Sequence, residues 1–60
     1  MKAKIEISMN NAAFGDEPNW ELGRLLRKLA TDIEEMPDVN KAEIWDINGN
    51  RVGTFKITGK

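Results

Sequence analysis

The segment Asp16–Met36, DEPNWELGRLLRKLATDIEEM, decides the fold. Leu22, Leu25, Leu26, Leu29, Ile33 and Met36 recur at spacings of three and four, which gathers them on one stripe of a helix with Ala30 at its margin. Asp16 is the expected N-cap, because a short acceptor side chain can satisfy an orphan amide of the first turn, and Asn19 is the alternative; Pro18 needs no amide partner there. Pro37 ends the helix, since the residue before a proline disfavours helical angles. Gly23 costs about 1 kcal/mol relative to alanine inside a helix, and with Ala30 it makes a shallow groove expected to admit a close neighbour.

Outward from the helix the pattern changes period. Residues 2–9, KAKIEISM, alternate strictly, as a half-buried strand does, with Ala3, Ile5, Ile7 and Met9 toward the helix and Lys2, Lys4, Glu6 and Ser8 away from it. Residues 10–15, NNAAFG, read as a connection whose one large apolar residue, Phe14, is expected to tuck under the helix start. Residues 41–47 and 51–58 are strand-like, joined by Asp46-Ile47-Asn48-Gly49. A type I turn with Gly49 left-handed in a bulge would pair Ile44 with Val52, whereas a two-residue Asn48-Gly49 turn would pair Trp45 with Val52. The first puts two aliphatic side chains together on the helix side and is preferred. Gly53 reads as a second bulge that lets Val52, Phe55 and Ile57 all point to the core.

These pieces assemble into one α+β domain over residues 1–60, with β-α-β-β order and one helix on one face of a three-stranded sheet. A right-handed crossover through the helix makes the first two strands parallel and leaves room for the third between them, giving strand order 1-3-2. The uncovered face is expected to carry Lys4, Glu6, Trp45, Thr54 and Lys56, with the tryptophan at its middle.

Composition narrows the function classes. A 60-residue chain buries only about 60% of its unfolded surface, and without cysteine or histidine it has no disulfide and none of the usual structural zinc sites. Nine basic against ten acidic side chains argue against a dedicated nucleic-acid binder; Lys2, Lys4, Lys56 and Lys60 with Trp45 as a stacking platform would need a basic face, which Glu6 and Glu43 interrupt. The start, Met1-Lys2-Ala3-Lys4, has no continuous apolar run, so neither a signal peptide nor a membrane span is read and the cytoplasm is the expected location. There is no histidine base, thiol nucleophile or phosphate loop. Asp46, Asn48 and Asn50 superficially suggest a calcium loop, but its sixth position is Arg51 rather than glycine and its twelfth is Ile57 rather than glutamate. No cofactor, no metal and no enzyme activity are expected.

The residues that read as partner contacts are exposed aromatics and unbalanced charge. Trp20 falls opposite the leucine stripe beside Arg24 and Arg27, either free for a partner or folded over Pro18 or against Arg24. Asp32, Glu34, Glu35 and Asp38 crowd a helix end that prefers cations, with only Lys28 placed to pair Asp32. Trp45 completes the set.

Met9-Asn10-Asn11-Ala12-Ala13-Phe14, the leucine- and arginine-rich helix, and residues 46–53, DINGNRVG, followed by Phe55 and Ile57, together resemble a group of small, mostly uncharacterised proteins of bacteriophages and prophages. The resemblance spans nearly the whole chain, rests on turn and strand patterns, and transfers no catalytic residue. It implies a mobile-element origin, in which chains this small commonly bind and disable or redirect a host protein complex, anti-CRISPR proteins being one such class. The expectation is therefore a protein-binding inhibitor or modulator in the bacterial host cell; the rival is a structural or assembly role as a homodimer. Self-association is expected in either case, since a small core and free strand edges are rarely left unprotected.

Overall fold

The computed structural model describes residues 1–59 and orders them as β1 (Lys2–Ile7), a 3-10 turn (Ala12–Phe14), α1 (Pro18–Glu35), β2 (Lys41–Trp45) and β3 (Arg51–Thr58). The strands form one sheet in the order β1-β3-β2, with β3 antiparallel to both neighbours. β1 and β2 therefore run parallel, joined through the helix, as the crossover argument requires. Lys60 lies outside the described residues.

Six side chains make the core: Phe14 from the 3-10 turn, Leu25 and Leu29 from the helix, Ile44 from β2, and Val52 and Phe55 from β3. The expected role of Phe14, closing the core beneath the helix start, is what the structure shows. The leucine stripe is only partly used. Leu22 and Ile33 are half-buried, but Leu26 and Met36 are exposed, because the helix inclines toward β2 and centres Leu25 and Leu29 on the sheet. Ala3 and Ile5, although on the helix side of β1 by alternation, are left exposed for the same reason.

Several boundaries differ from the sequence reading. The helix begins at Pro18, so Glu17 takes the N-cap position without a side-chain cap bond, and neither Asp16 nor Asn19 caps it. Pro18 explains this, since its fixed φ and absent N–H make it the natural first helical residue and push Asn19 inside. β1 ends at Ile7 rather than Met9; the Ser8 amide still donates to the Val52 carbonyl at 2.8 Å, after which the chain turns away. The Gly23–Ala30 groove has no close neighbour at its glycine end, where the nearest outside atom to an added Cβ would be the Arg27 guanidinium at 3.5 Å.

The hairpin follows the type I turn: the Gly49 amide donates to the Asp46 carbonyl at 3.0 Å, Gly49 is left-handed at φ +84, and the Asp46 amide donates to Asn50 at 2.8 Å. The pairing beyond the turn is not the expected one. Trp45 lies opposite Arg51 and Ile44 opposite Gly53, with Val52 as the extra residue of a bulge. This bulge points Val52 to the core as anticipated, but it moves Trp45 to the end of an edge strand, a corner of the sheet rather than its middle.

Gly53 is where β3 approaches β1 most tightly. An added Cβ there would overlap the Glu6 carbonyl and meet the Ile7 Cα at 3.0 Å, both backbone atoms of a paired strand that cannot move aside cheaply. Gly53→Ala is accordingly expected to lose more than about 2 kcal/mol by denaturant unfolding. Gly23→Ala, in open helix, should gain up to about 1 kcal/mol. Equal effects of the two substitutions would contradict this account of the bulge.

Candidate functional site

The helix stripe contains one residue that does not look apolar. Glu21 sits four residues before Leu25, on the buried side, and its side chain is 0% exposed. Burying a carboxylate is unfavourable unless it is paired and fully hydrogen-bonded, and here it is both. Arg24 donates from Nε to Oε1 at 2.7 Å and from Nη2 to Oε2 at 2.9 Å, and the Ile47 amide donates to Oε2 at 2.8 Å. The Arg24 bonds hold the Glu21 carboxyl below its ordinary value of 4.5, with burial opposing and the Ile47 bond assisting. Arg24 is raised in return, chiefly by the hydrogen bond to Glu21.

A second buried carboxylate adjoins it. Asp46 Oδ1 accepts the Asn48 and Asn50 amides, both at 2.9 Å, and Oδ2 accepts the Asn11 side-chain amide at 3.0 Å. The Asn11 bond leads the causes that hold its carboxyl below its ordinary value of 3.8, followed by the Asn50 amide. No buried side-chain nitrogen or oxygen among the described residues is without a partner. Both oxygens of Asp46 are thus engaged by the protein's own amides, and among the described residues no group of three or more acidic, histidine or cysteine side chains is arranged to hold a metal. Sequence reasoning took Asp46 as a turn former, set aside as a calcium ligand, and read Asn11 and Ile47 only as parts of their turns; it passed over Glu21 and the bonds that join these residues. The position of Glu21 on the leucine stripe was the signal.

The expected contact residues fall into separate places. Trp20 is 57% exposed beside an open hollow lined by Ala13, Phe14, Gly15, Asp16 and Glu17, so local folding does not bury it. Arg24 is committed to Glu21, while Arg27 is exposed with its backbone carbonyl accepting the Thr31 hydroxyl at 3.2 Å. Asp32 pairs with Lys28 at 3.2 Å as its spacing implies. Glu34, Glu35 and Asp38 are exposed at the helix end. Trp45, 51% exposed, borders a crevice of about 70 Å³ with Leu25, Lys28, Leu29, Asp32, Glu43 and Ile44. The structure therefore brings Trp45 and Asp32 together and leaves Trp20 and the outermost acids elsewhere. Ile47 is also exposed, in the turn that follows Trp45, and its amide is held by Glu21.

A crevice this size accepts one side chain; metabolite pockets run to hundreds of Å³ and enclose their ligand. No described helix is long and apolar enough to cross a membrane. The chain matches no protein-family model, no curated protein and no solved structure.

Because the folded pKa values of Glu21 and Asp46 are depressed, the stability they contribute is fully present above their ordinary values of 4.5 and 3.8 and is lost as pH falls through the lower folded values. Thermal melts from neutrality down to about pH 3 should show a steep loss beginning below the ordinary carboxylate range. Glu21→Gln should melt lower at neutral pH and show a shallower acid loss; an unchanged acid profile in that variant would remove Glu21 from the cause.

Proposed function

We propose that this chain is a small protein-binding module, anchored on Trp45, that inhibits or modulates a partner protein complex. The observation that carries the reading is the division of the aromatic side chains: both phenylalanines are core residues, and both tryptophans stand more than half in water. Tryptophan is among the side chains most enriched at binding hot spots, where a rigid ring fills a partner pocket within a charged rim. Trp45 has that setting, with Ile47 beside it in sequence, the Lys28–Asp32 pair across the crevice, and the Glu43–Arg51 pair at 3.1 Å on its own hairpin. Glu34, Glu35 and Asp38, exposed at the helix end, form a separate negative surface that suits a basic partner groove.

The resemblance to phage and prophage proteins supports placing the target in a bacterial host, and a CRISPR effector is the class of complex to try first. The small size of the module fits that role, since occupying one groove on a large complex suffices to block it.

Tagged protein expressed in a bacterial host should retain a foreign partner in stoichiometric amount, and purified protein added to a CRISPR effector cleavage reaction should slow it. Trp45→Ala should retain its melting temperature within the shift expected for about 0.5 kcal/mol while losing most of the captured partner. Trp20→Ala, tested alongside, separates the two aromatics. Retention of the partner by Trp45→Ala at wild-type level would overturn the assignment of the anchor, and no partner and no inhibition for the wild type would overturn the reading itself.

A further inference from the structure

The edge of the sheet farthest from Trp45 belongs to β1, and its backbone is unpaired among the described residues. The phase of the ladder says which groups point outward. The Ile57 amide donates to Asn40, on the β2 side, so the even-numbered residues of β3 direct theirs to β1. Lys4 opposite Lys56 and Glu6 opposite Thr54 are then the hydrogen-bonded pairs, and the Ser8 amide donating toward β3 continues the same phase. Ala3, Ile5 and Ile7 are left with N–H and C=O groups aimed out of the sheet.

The side chains at this edge are equally unfinished. Ile5 is 45% exposed, and Leu26 is 42% exposed on the helix flank opposite Lys28 and Asp32, which face β2; at 100° per residue that flank looks toward β1. On the opposite face, Lys4, Lys56 and Lys41 stand directly across from one another on the three strands. Like charges in such a row repel.

We propose that β1 pairs antiparallel with β1 of a second copy about a two-fold axis at Ile5, joining two sheets into one of six strands. Of the two-fold axes from Ala3 to Glu6, only this one satisfies both backbone and charge, and an axis at Ile7 would have to pair Ile5 with Met9, beyond the end of β1. Ile5 meets Ile5 as a hydrogen-bonded pair, Ala3 meets Ile7 on the helix side, and Lys4 and Glu6 meet as oppositely charged pairs, once on each side of the axis. Moving the axis to Lys4 sets lysine against lysine; moving it to Glu6 sets glutamate against glutamate; moving it to Ala3 sets Lys2 against Lys4. In the Ile5 register each three-lysine row runs on into the Glu6-Thr54-Glu43 row of the second copy, which relieves its repulsion. A one-residue shift would put core-facing side chains on the wrong face. The two Ile5 side chains and the flanking Leu26 residues close over the strip of β1 that the helix leaves bare.

Sedimentation of the wild-type chain across the micromolar range should give a reversible dimer. Glu6→Lys, or Lys4→Glu, should weaken it by about tenfold or more, since each creates two like-charge pairs. The double exchange of both residues should restore it, a result no other axis position predicts. The chain has no cysteine, so Lys4→Cys mixed with Glu6→Cys should oxidise to a mixed disulfide dimer across a pair about 4.5 Å apart at Cα. Neither variant should cross-link to itself. Circular dichroism establishes that each variant is folded. A strictly monomeric wild type, a folded double exchange that fails to recover, or Lys4→Cys cross-linking to itself would each overturn the proposal.

Discussion

The carboxylate of Glu21 is the constraint on which the arrangement of this small domain depends. It lies inside the helix's apolar stripe, and the only way to leave it charged there is to supply donors from both sides. Arg24, one turn on, gives two, and the backbone amide of Ile47 gives the third. Two of those bonds are local to the helix. The third ties the helix to the hairpin turn, 26 residues away in sequence. A hydrophobic contact could slide by a fraction of a helical turn with little loss, but a buried carboxylate loses a charge-assisted bond as soon as the turn moves. Glu21 therefore sets where the helix sits along the hairpin, and Asp46 carries the same register to the β1 connection through Asn11.

That linkage gives a physical reading of segments far apart in the chain. Residues 9–14 and 46–53 look like two unrelated turn-rich stretches in the sequence, yet they touch through Asn11 and Asp46, and Phe14 and Val52 share the core. Asp46 closes its own turn by accepting two amides and still has an oxygen left for Asn11. A loop with a packed phenylalanine and a hairpin with a left-handed glycine are thereby held as one unit. Asp46, the one carboxylate of the stretch that superficially suggests an ion site, already has both oxygens occupied by amides of these two turns.

The fold was legible because its signals are periodic. The strand alternation of residues 2–7, the leucine spacing from Leu22 to Ile33, and the Asn48-Gly49 turn each reflect a backbone geometry, and together with the handedness of the crossover they lead to strand order 1-3-2. What escaped was non-periodic. A bulge was readable at Gly53 and does turn Val52 to the core, but its place, with Val52 as the extra residue and Ile44 opposite Gly53, depends on pairing between strands that no local pattern reports. The tilt of the helix, which exposes Leu26 and buries Leu25, depends on a hydrogen bond from the distant Ile47 amide. The same holds for the surface: Trp20 was placed correctly from the helical wheel, whereas the approach of Trp45 to Asp32 needed the true hairpin register.

The position of the helix also links the two surfaces. Glu21 draws the helix N-terminus to the β2-β3 turn, so the side chains on that flank, Lys28 and Asp32, are brought to Trp45. A helix held over one edge of a three-stranded sheet cannot cover the other, and the uncovered material is Ala3, Ile5 and Leu26. One buried interaction thus sets the exposed Trp45 beside Lys28 and Asp32 at the β2 edge and leaves an incomplete core at the β1 edge. Covering the second with another copy would leave the first free, and the two-fold axis would carry one Trp45 surface to each outer end of the joined sheet. On the proposed function, two such surfaces on a rigid frame would hold a partner with repeated sites more tightly than either alone, through effective concentration and without any new contact.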